Sequence, residues 1–313
     1  ILYDVNLSEL HAEQFSDISV KGSMLGHVYI GPNMTNISWG NYCMTTGFTV
    51  DPNNPAYTTD DKGALYSKDY STLVVIPSQW TGSYTTHENC TTIGKYATMR
   101  LRLDSLTIGK NVQTIEGGSY LFFSNLLSAI YVEAGNQYFA SKDGILYDKE
   151  MTAILACPGK LALKELTVPE TVTNVGAYIF QNIGIEKLII PEGAEISGDR
   201  AGFTRMYNLK ELEMLGSYSG YIDGAAALEK LTVYDGFNFA QNLDGDGNTP
   251  DSSMSWIKTA GITVTGGENA AYDGQSQKVE VTTTAPNLTV EYSTDGNEWS
   301  ANAPAAVSAP STY

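Results

Sequence analysis

Apolar residues in this chain recur as pairs that bracket a single central residue. In Leu106-Thr107-Ile108-Gly109-Lys110-Asn111-Val112-Gln113-Thr114-Ile115 one such triplet is followed by a turn and two further apolar anchors. The same order stands earlier in the chain, from Val28 to Ile37, and again later, from Leu166 to Val175. Leu188-Ile189-Ile190, Leu212-Glu213-Met214 and Leu231-Thr232-Val233 repeat its opening, and Phe48-Thr49-Val50 and Ile130-Tyr131-Val132 fall between the longer copies. A two-residue period predicts short strands, each with one face to bury and one to leave open.

The steps from Val28 to Phe48, Leu106 to Ile130, Leu166 to Leu188 and Leu188 to Leu212 are close to one another in length. All fall within the range of leucine-rich solenoids, which run at ~20–29 residues per repeat. No single copy can hide its apolar face, so copies stack into a continuous core. The middle residues of the triplets then line the open face of a parallel sheet: Tyr29, Thr49, Thr107, Tyr131, Thr167, Ile189, Glu213 and Thr232. A longer element is also duplicated. Tyr57 to Pro77 carries Asp61-Lys62-Gly63-Ala64-Leu65-Tyr66, and Tyr138 to Pro158 carries Lys142-Asp143-Gly144-Ile145-Leu146-Tyr147. The glycines predict a turn entering a strand, so each element is expected to be a small hairpin inserted between solenoid turns.

The run from Asn136 to Tyr147, an apolar run ending in Pro158, and then Leu166-Thr167-Val168-Pro169 with Val172, Val175 and Gly176 resemble the BspA-type leucine-rich repeat proteins of bacteria. The resemblance covers roughly residues 20 to 235; it weakens before Val28 and departs from the usual spacing from Gly216 to Ala227. It implies a curved solenoid displayed outside the cell and associated with adhesion to host or neighbouring cells. It implies no catalytic residue and none is carried over.

The expected fold is mainly β. A leucine-rich repeat solenoid spans 1–258, with a parallel sheet, β-hairpin insertions and short helical turns, for which 117–127 and 176–182 are candidates. Residues 1–25 cap it as a short helix starting from Ser8 or as an irregular segment. Residues 78–102 join the two large repeats. After Lys258 the pattern changes: 261–267 reads as a strand then a turn, and 278–283 and 288–293 as alternating strands, with a hairpin turn at Asp295-Gly296-Asn297. Ala271-Tyr272-Asp273-Gly274-Gln275 and the run from Glu291 to Gly296 resemble the immunoglobulin-like β-domains of bacterial surface proteins. The expected domain at 259–313 is short for a sandwich, so the natural chain is expected to continue past Tyr313.

Composition narrows function more than fold. A net charge of −17 disfavours nucleic acid and anionic membranes. No apolar run is long enough to span a bilayer. Ile1-Leu2-Tyr3-Asp4 has no leader-like composition; either the chain is cytoplasmic or a leader precedes it, and the resemblance favours the second. Cys43, Cys90 and Cys157 form no C-x-x-C pair; Cys157 reads as a small buried side chain, and the sequence leaves open whether Cys43 and Cys90 are joined. The run from Asp244 to Asp251 resembles the start of a calcium loop, but Thr249 stands where glycine is expected and Ser255 where the closing glutamate is expected; a solvated turn is favoured and no metal is assigned. His11, His27 and His87 are scattered, and neither a nucleophile elbow nor a phosphate loop is present.

The expectation is therefore a non-enzymatic surface protein without cofactor. It would bind extracellular host or neighbouring-cell proteins, or glycans, through the open sheet face. Tyr29 and Tyr131 are its foremost contact residues, unless they only pack across neighbouring strands. A structural spacer and a surface glycan-active enzyme built on a carboxylate pair are the alternatives.

Overall fold

The computed structural model describes residues 2–3, 6–12, 17–40, 43–117, 126–176, 179–196, 203, 205–218, 227–233, 262–265 and 280–283. Through the repeats the chain alternates between two walls. Among the described residues the front wall holds three parallel sheets. The first pairs Asn6–His11, Met24–Ile30 and Gly47–Val50; the second pairs Ser83–Thr85, Ser105–Ile108 and Ala129–Val132; the third pairs Glu165–Thr167, Lys187–Ile190, Glu211–Met214 and Lys230–Val233. The back wall takes the shorter strands that follow each triplet, such as Thr92–Ile93, Thr114–Ile115, Asn174–Val175 and Glu195–Ile196, again in parallel.

The triplet anchors queue as their spacing requires. Leu106 faces Ile130 across one sheet, and Leu166, Leu188, Leu212 and Leu231 stand in register across the next. All six are 0–3% exposed. Each fully buried leucine or isoleucine side chain contributes roughly 1.5–3 kcal/mol. That gain comes only from stacking, since each strand is three to seven residues long and too short to hold itself together.

The two duplicated elements are antiparallel hairpins set into the back wall. Tyr57–Thr59 pairs Leu65–Ser67, which pairs Thr72–Val75; Phe139–Lys142 pairs Ile145–Asp148, which pairs Ala153–Ala156. Asp143 and Gly144, at φ 54° and 79°, make a two-residue turn, a left-handed geometry that asparagine, aspartate and glycine tolerate. The first hairpin has a longer turn. There Asp60 Oδ1 accepts the amides of Lys62 and Ala64 at 3.1 and 2.8 Å. One extra turn residue shifts the match between the two elements. Tyr57 corresponds to Phe139 before the turn, whereas Ser67 corresponds to Asp148 after it.

A buried asparagine launches each hairpin. The Asn54 side-chain amide donates to the carbonyls of Gly31 and Met34 at 2.6 and 2.9 Å, and its Oδ1 accepts from Ala56 and Tyr57. Asn136 does the same for Gly109 and Val112, both at 2.9 Å, and for Tyr138 and Phe139. One side chain thus closes the turn of the previous coil and fixes the first strand of the hairpin.

Among the described residues the core is three clusters, and each hairpin lies between two of them. Leu65 and Val75 pack with the first cluster, while Ala64, Tyr66, Leu73 and Ile76 pack with the second. Leu146 and Ala156 pack with the second, while Ile145, Tyr147, Ile154 and Cys157 pack with the third. Strands buried on both faces read as unbroken apolar runs, which is why Ile145-Leu146-Tyr147 lacks the alternation of the coils.

Several expectations are corrected. Asn6–His11 is a strand paired to Met24–Ile30, not a helix capped by Ser8; Leu7 and Leu10 pair with Leu25 and Val28, so the stack begins before residue 25. Residues 78–102 are not a mere joint but hold a full coil, with Ser83–Thr85 in front and Thr92–Ile93 behind. No helix occurs among the described residues. The returns are single turns, closed by bonds such as Val172 N to Pro169 O at 2.9 Å and Leu209 N to Met206 O at 3.1 Å, too few in a row to nucleate a helix. Cys43, Cys90 and Cys157 are all buried thiols, none of them in a disulfide. Residues 118–125, 177–178 and 234–261, including the loop at 244–251, lie outside the described residues. So does most of 259–313, where Ile262–Thr265 and Glu280–Thr283 form one antiparallel pair.

Candidate functional site

The outward face of the front wall is built by the triplets themselves. With both anchors turned inward, the middle residue must face out, and parallel pairing at ~4.8 Å carries equivalent residues into rows. His11, Tyr29 and Thr49 form the row of the first panel, Thr85, Thr107 and Tyr131 that of the second, and Thr167, Ile189, Glu213 and Thr232 that of the third. All eight residues expected on the open face therefore stand in three in-register rows. His11 and Thr85 join them. Both were legible only with weaker anchors admitted: Leu10-His11-Ala12 closes on alanine, and Ser83-Tyr84-Thr85 uses tyrosine where leucine is usual.

The panels differ in chemistry. In the first, the His11 ring stacks on Tyr29 at 4.4 Å and 7°, His27 tilts against Tyr29 at 4.8 Å, and His27 Nε2 lies 2.7 Å from Thr49 Oγ1. Tyr29 is thus held between two imidazoles of its own chain.

In the third panel, alternating charges pair across the strands. Lys187 reaches Glu213 at 3.3 Å and Glu211 at 3.4 Å, and Lys230 reaches Glu211 at 3.5 Å. One position earlier, Glu186 lies between Lys164 at 3.1 Å and Lys210 at 2.7 Å. The hydrogen bond from Lys210 holds the Glu186 carboxyl below its ordinary range, and that from Lys187 does the same for Glu211. Lys187 is raised chiefly by Glu213 and Lys210 by Glu186. Exposed pairs of this kind add little stability, but opposite charges at matched positions disfavour a slipped register.

The second panel carries no charge on its two outward rows. Beside Thr85, Thr107 and Tyr131 run Ser83, Ser105 and Ala129, with Ser105 Oγ donating to Ser83 Oγ at 2.8 Å. Tyr131 is 50% exposed.

Behind this panel Tyr84 replaces the usual aliphatic anchor. Its hydroxyl donates to Asp60 Oδ2 at 2.5 Å and lies 2.7 Å from the Tyr66 hydroxyl, which accepts the His87 amide at 3.0 Å. Burial drives both phenol pKa values up, so they remain neutral hydrogen-bonding groups. Burial also pushes the Cys90 thiol to about 11 and the Cys157 thiol to about 12. Nucleophilic thiols need the opposite shift, so these are packing residues. Among the described residues no three His, Cys, Asp or Glu side chains are grouped to hold a metal ion, and no helix is long and apolar enough to cross a membrane.

Residues 81–142 and 158–239 match the family model described as "BspA type Leucine rich repeat region", in six copies. No curated protein matches the chain at a significant level. Solved structures similar to it include a leucine-rich repeat protein from Eubacterium ventriosum, at 18% identity and a TM-score of 0.45, covering 70% of this chain and 66% of that one. Another is the pneumococcal vaccine antigen PcpA, at 19% identity and a TM-score of 0.42, covering 69% and 54%. A third is a leucine rich cell surface protein from Faecalibacterium prausnitzii, at 13% identity and a TM-score of 0.49, covering 82% and 88%. The chain thus spans less than two thirds of the length of the first two.

Proposed function

We propose that this chain is a non-enzymatic binding protein displayed outside the cell, with an adhesin-like role toward proteins of a host or neighbouring cell. The BspA-type repeats at 81–142 and 158–239 support a protein of this class. The observation that carries the reading is the front wall. Tyr29, Thr49, Thr107, Tyr131, Thr167, Ile189, Glu213 and Thr232 stand in register rows outside a largely buried anchor layer. Preordered strands present such a surface at little entropic cost to binding. Residues 259–313 are proposed as an immunoglobulin-like stalk unit behind the solenoid.

The test is capture of a panel of purified extracellular-matrix glycoproteins by the wild-type chain and by Tyr29→Ala, Tyr131→Ala and the double variant. Loss of capture in at least one variant, with unchanged thermal unfolding, is expected. Undiminished capture by the double variant would move the site off this wall.

A further inference from the structure

The three panels are not equally free to take a ligand. In the first, Tyr29, His11, His27 and Thr49 already stack on or hydrogen-bond to one another. In the third, Lys187, Glu211, Glu213 and Lys230 are neutralised by their neighbours. In the middle panel the side-chain hydroxyls of Thr85, Thr107 and Tyr131 have no protein partner among the described residues, though they lie side by side in register. Beside them Ser83 and Ser105 share one hydrogen bond and keep further donor and acceptor capacity.

The hairpin turns reach both ends of this panel. Lys62 Nζ approaches the Ser83 carbonyl at 3.4 Å on one edge. On the other, Ile130 N donates to Gly144 O at 2.8 Å and Val132 N to Ser141 Oγ at 2.9 Å. The backbone of the Ala129–Val132 edge is therefore occupied, and a partner strand cannot extend the sheet there by adding its own hydrogen bonds. Recognition falls to the outward side chains: aligned hydroxyls beside a half-exposed phenol ring, over an area about 10 Å across the strands.

The charge balance narrows the partner further. The chain carries −17; the panel's two outward rows offer neither a cation to hold an anionic ligand nor a carboxylate to hold a cationic one, and Lys62 at its edge is directed to the Ser83 carbonyl and over the Tyr84 ring. Aligned hydroxyls match the hydroxyls of a sugar, and an exposed aromatic face accepts the apolar C–H face of a pyranose. The geometry points to the middle panel as a site for a neutral glycan, free or carried by a partner glycoprotein. This assignment rests on the front wall being the binding face and names what its centre recognises.

The full chain is assayed on an array of neutral oligosaccharides with their sialylated and sulfated counterparts, and on matrix glycoproteins before and after enzymatic deglycosylation. Neutral oligosaccharides are expected to bind at least as well as their charged counterparts. Tyr131→Ala should weaken binding roughly tenfold or more, as loss of an aromatic anchor does. Thr85→Val with Thr107→Val, which keeps shape and strand preference, should weaken it as well, whereas Tyr207→Ala, at an exposed tyrosine outside the front-wall rows, should not. Binding of free oligosaccharides identifies a polysaccharide source, and binding confined to untreated glycoproteins identifies a protein-borne glycan. Binding of neither, or glycan binding indifferent to Tyr131, Thr85 and Thr107, overturns the assignment. If deglycosylated proteins are still captured and Tyr131→Ala abolishes that capture, the glycan fails while the front wall stands. Capture indifferent to Tyr29 and Tyr131 alike overturns the wall itself.

Discussion

The second hairpin and the plain coils that follow it use the same apolar residue types under opposite rules. In Lys187–Ile190 and Glu211–Met214 every second residue is buried and the intervening one faces out. In Ile145–Asp148 three successive residues are buried, because Leu146 serves the core behind it while Ile145 and Tyr147 serve the core ahead. A plain coil extends one core. A hairpin closes one core and opens another, and its turn interrupts the front wall. The hairpins therefore set where the outward face breaks into panels.

The largest effects should separate these two rules. Leu146→Ala should cost about 2–5 kcal/mol and Tyr147→Ala about 3–5 kcal/mol. Hydrogen exchange should rise first in the middle coils for Leu146 and first in the C-terminal coils for Tyr147. In the plain coil, Leu188→Ala should cost about 2–5 kcal/mol, but its neighbour Ile189→Ala less than about 1 kcal/mol. Equal losses at Leu188 and Ile189, or protection lost on the same side for Leu146 and Tyr147, would break the contrast.

The launching asparagines come next. Asn136→Ala strands two buried carbonyls, those of Gly109 and Val112, and should lower stability by about 3 kcal/mol in denaturant unfolding. Asn54→Ala should behave alike if the two hairpins are true equivalents.

A smaller effect should distinguish the hairpins from each other. Tyr84→Phe removes the link between Asp60 and Tyr66 and should cost about 1–2 kcal/mol. Among the described residues the second hairpin shows no such relay, and Tyr147→Phe should be close to neutral by thermal unfolding.

The smallest effect is electrostatic. Asp69, in the return turn of the first hairpin, accepts from Ser67 and Ser71, and these bonds lower its carboxyl from 3.8 to about 2. A depressed carboxyl contributes stability above its unfolded value and loses it as pH falls through the folded one, so the Asp69 contribution fades from about pH 4 to about pH 2. Glu186 and Glu211 are depressed from 4.5 and lose theirs in acid likewise, whereas Lys187 and Lys210 are raised from 10.5 and lose theirs only above that pH. Thermal unfolding followed against pH should show small losses at both extremes, with the ladder residues Glu186 and Lys187 fraying before the uncharged middle panel.

Much of this was legible in the chain. The anchors from Leu106 to Leu231, the hairpins and the outward rows all follow from the two-residue period and its copies. The coil at Ser83–Thr85 was not, because Tyr84 fills an aliphatic position only when Asp60 and Tyr66 satisfy its hydroxyl, and those partners come from the hairpin before it in the chain. The strand at Asn6–His11 was hidden because Leu7 and Leu10 are three residues apart, a spacing that suits a helix until Leu25 and Val28 are found at the same spacing beside them.

The sequence by itself determined the stacking, since isolated apolar triplets cannot be buried in any other way. It also determined which residues face outward, since strand geometry leaves the middle residue no other side. Only the tertiary structure decided that the described residues divide into three cores and three panels. Burial on both faces of a hairpin depends on what packs against each side, and no local period records that. It also decided which outward groups are spent on their own neighbours, as Tyr29 is on His11 and His27.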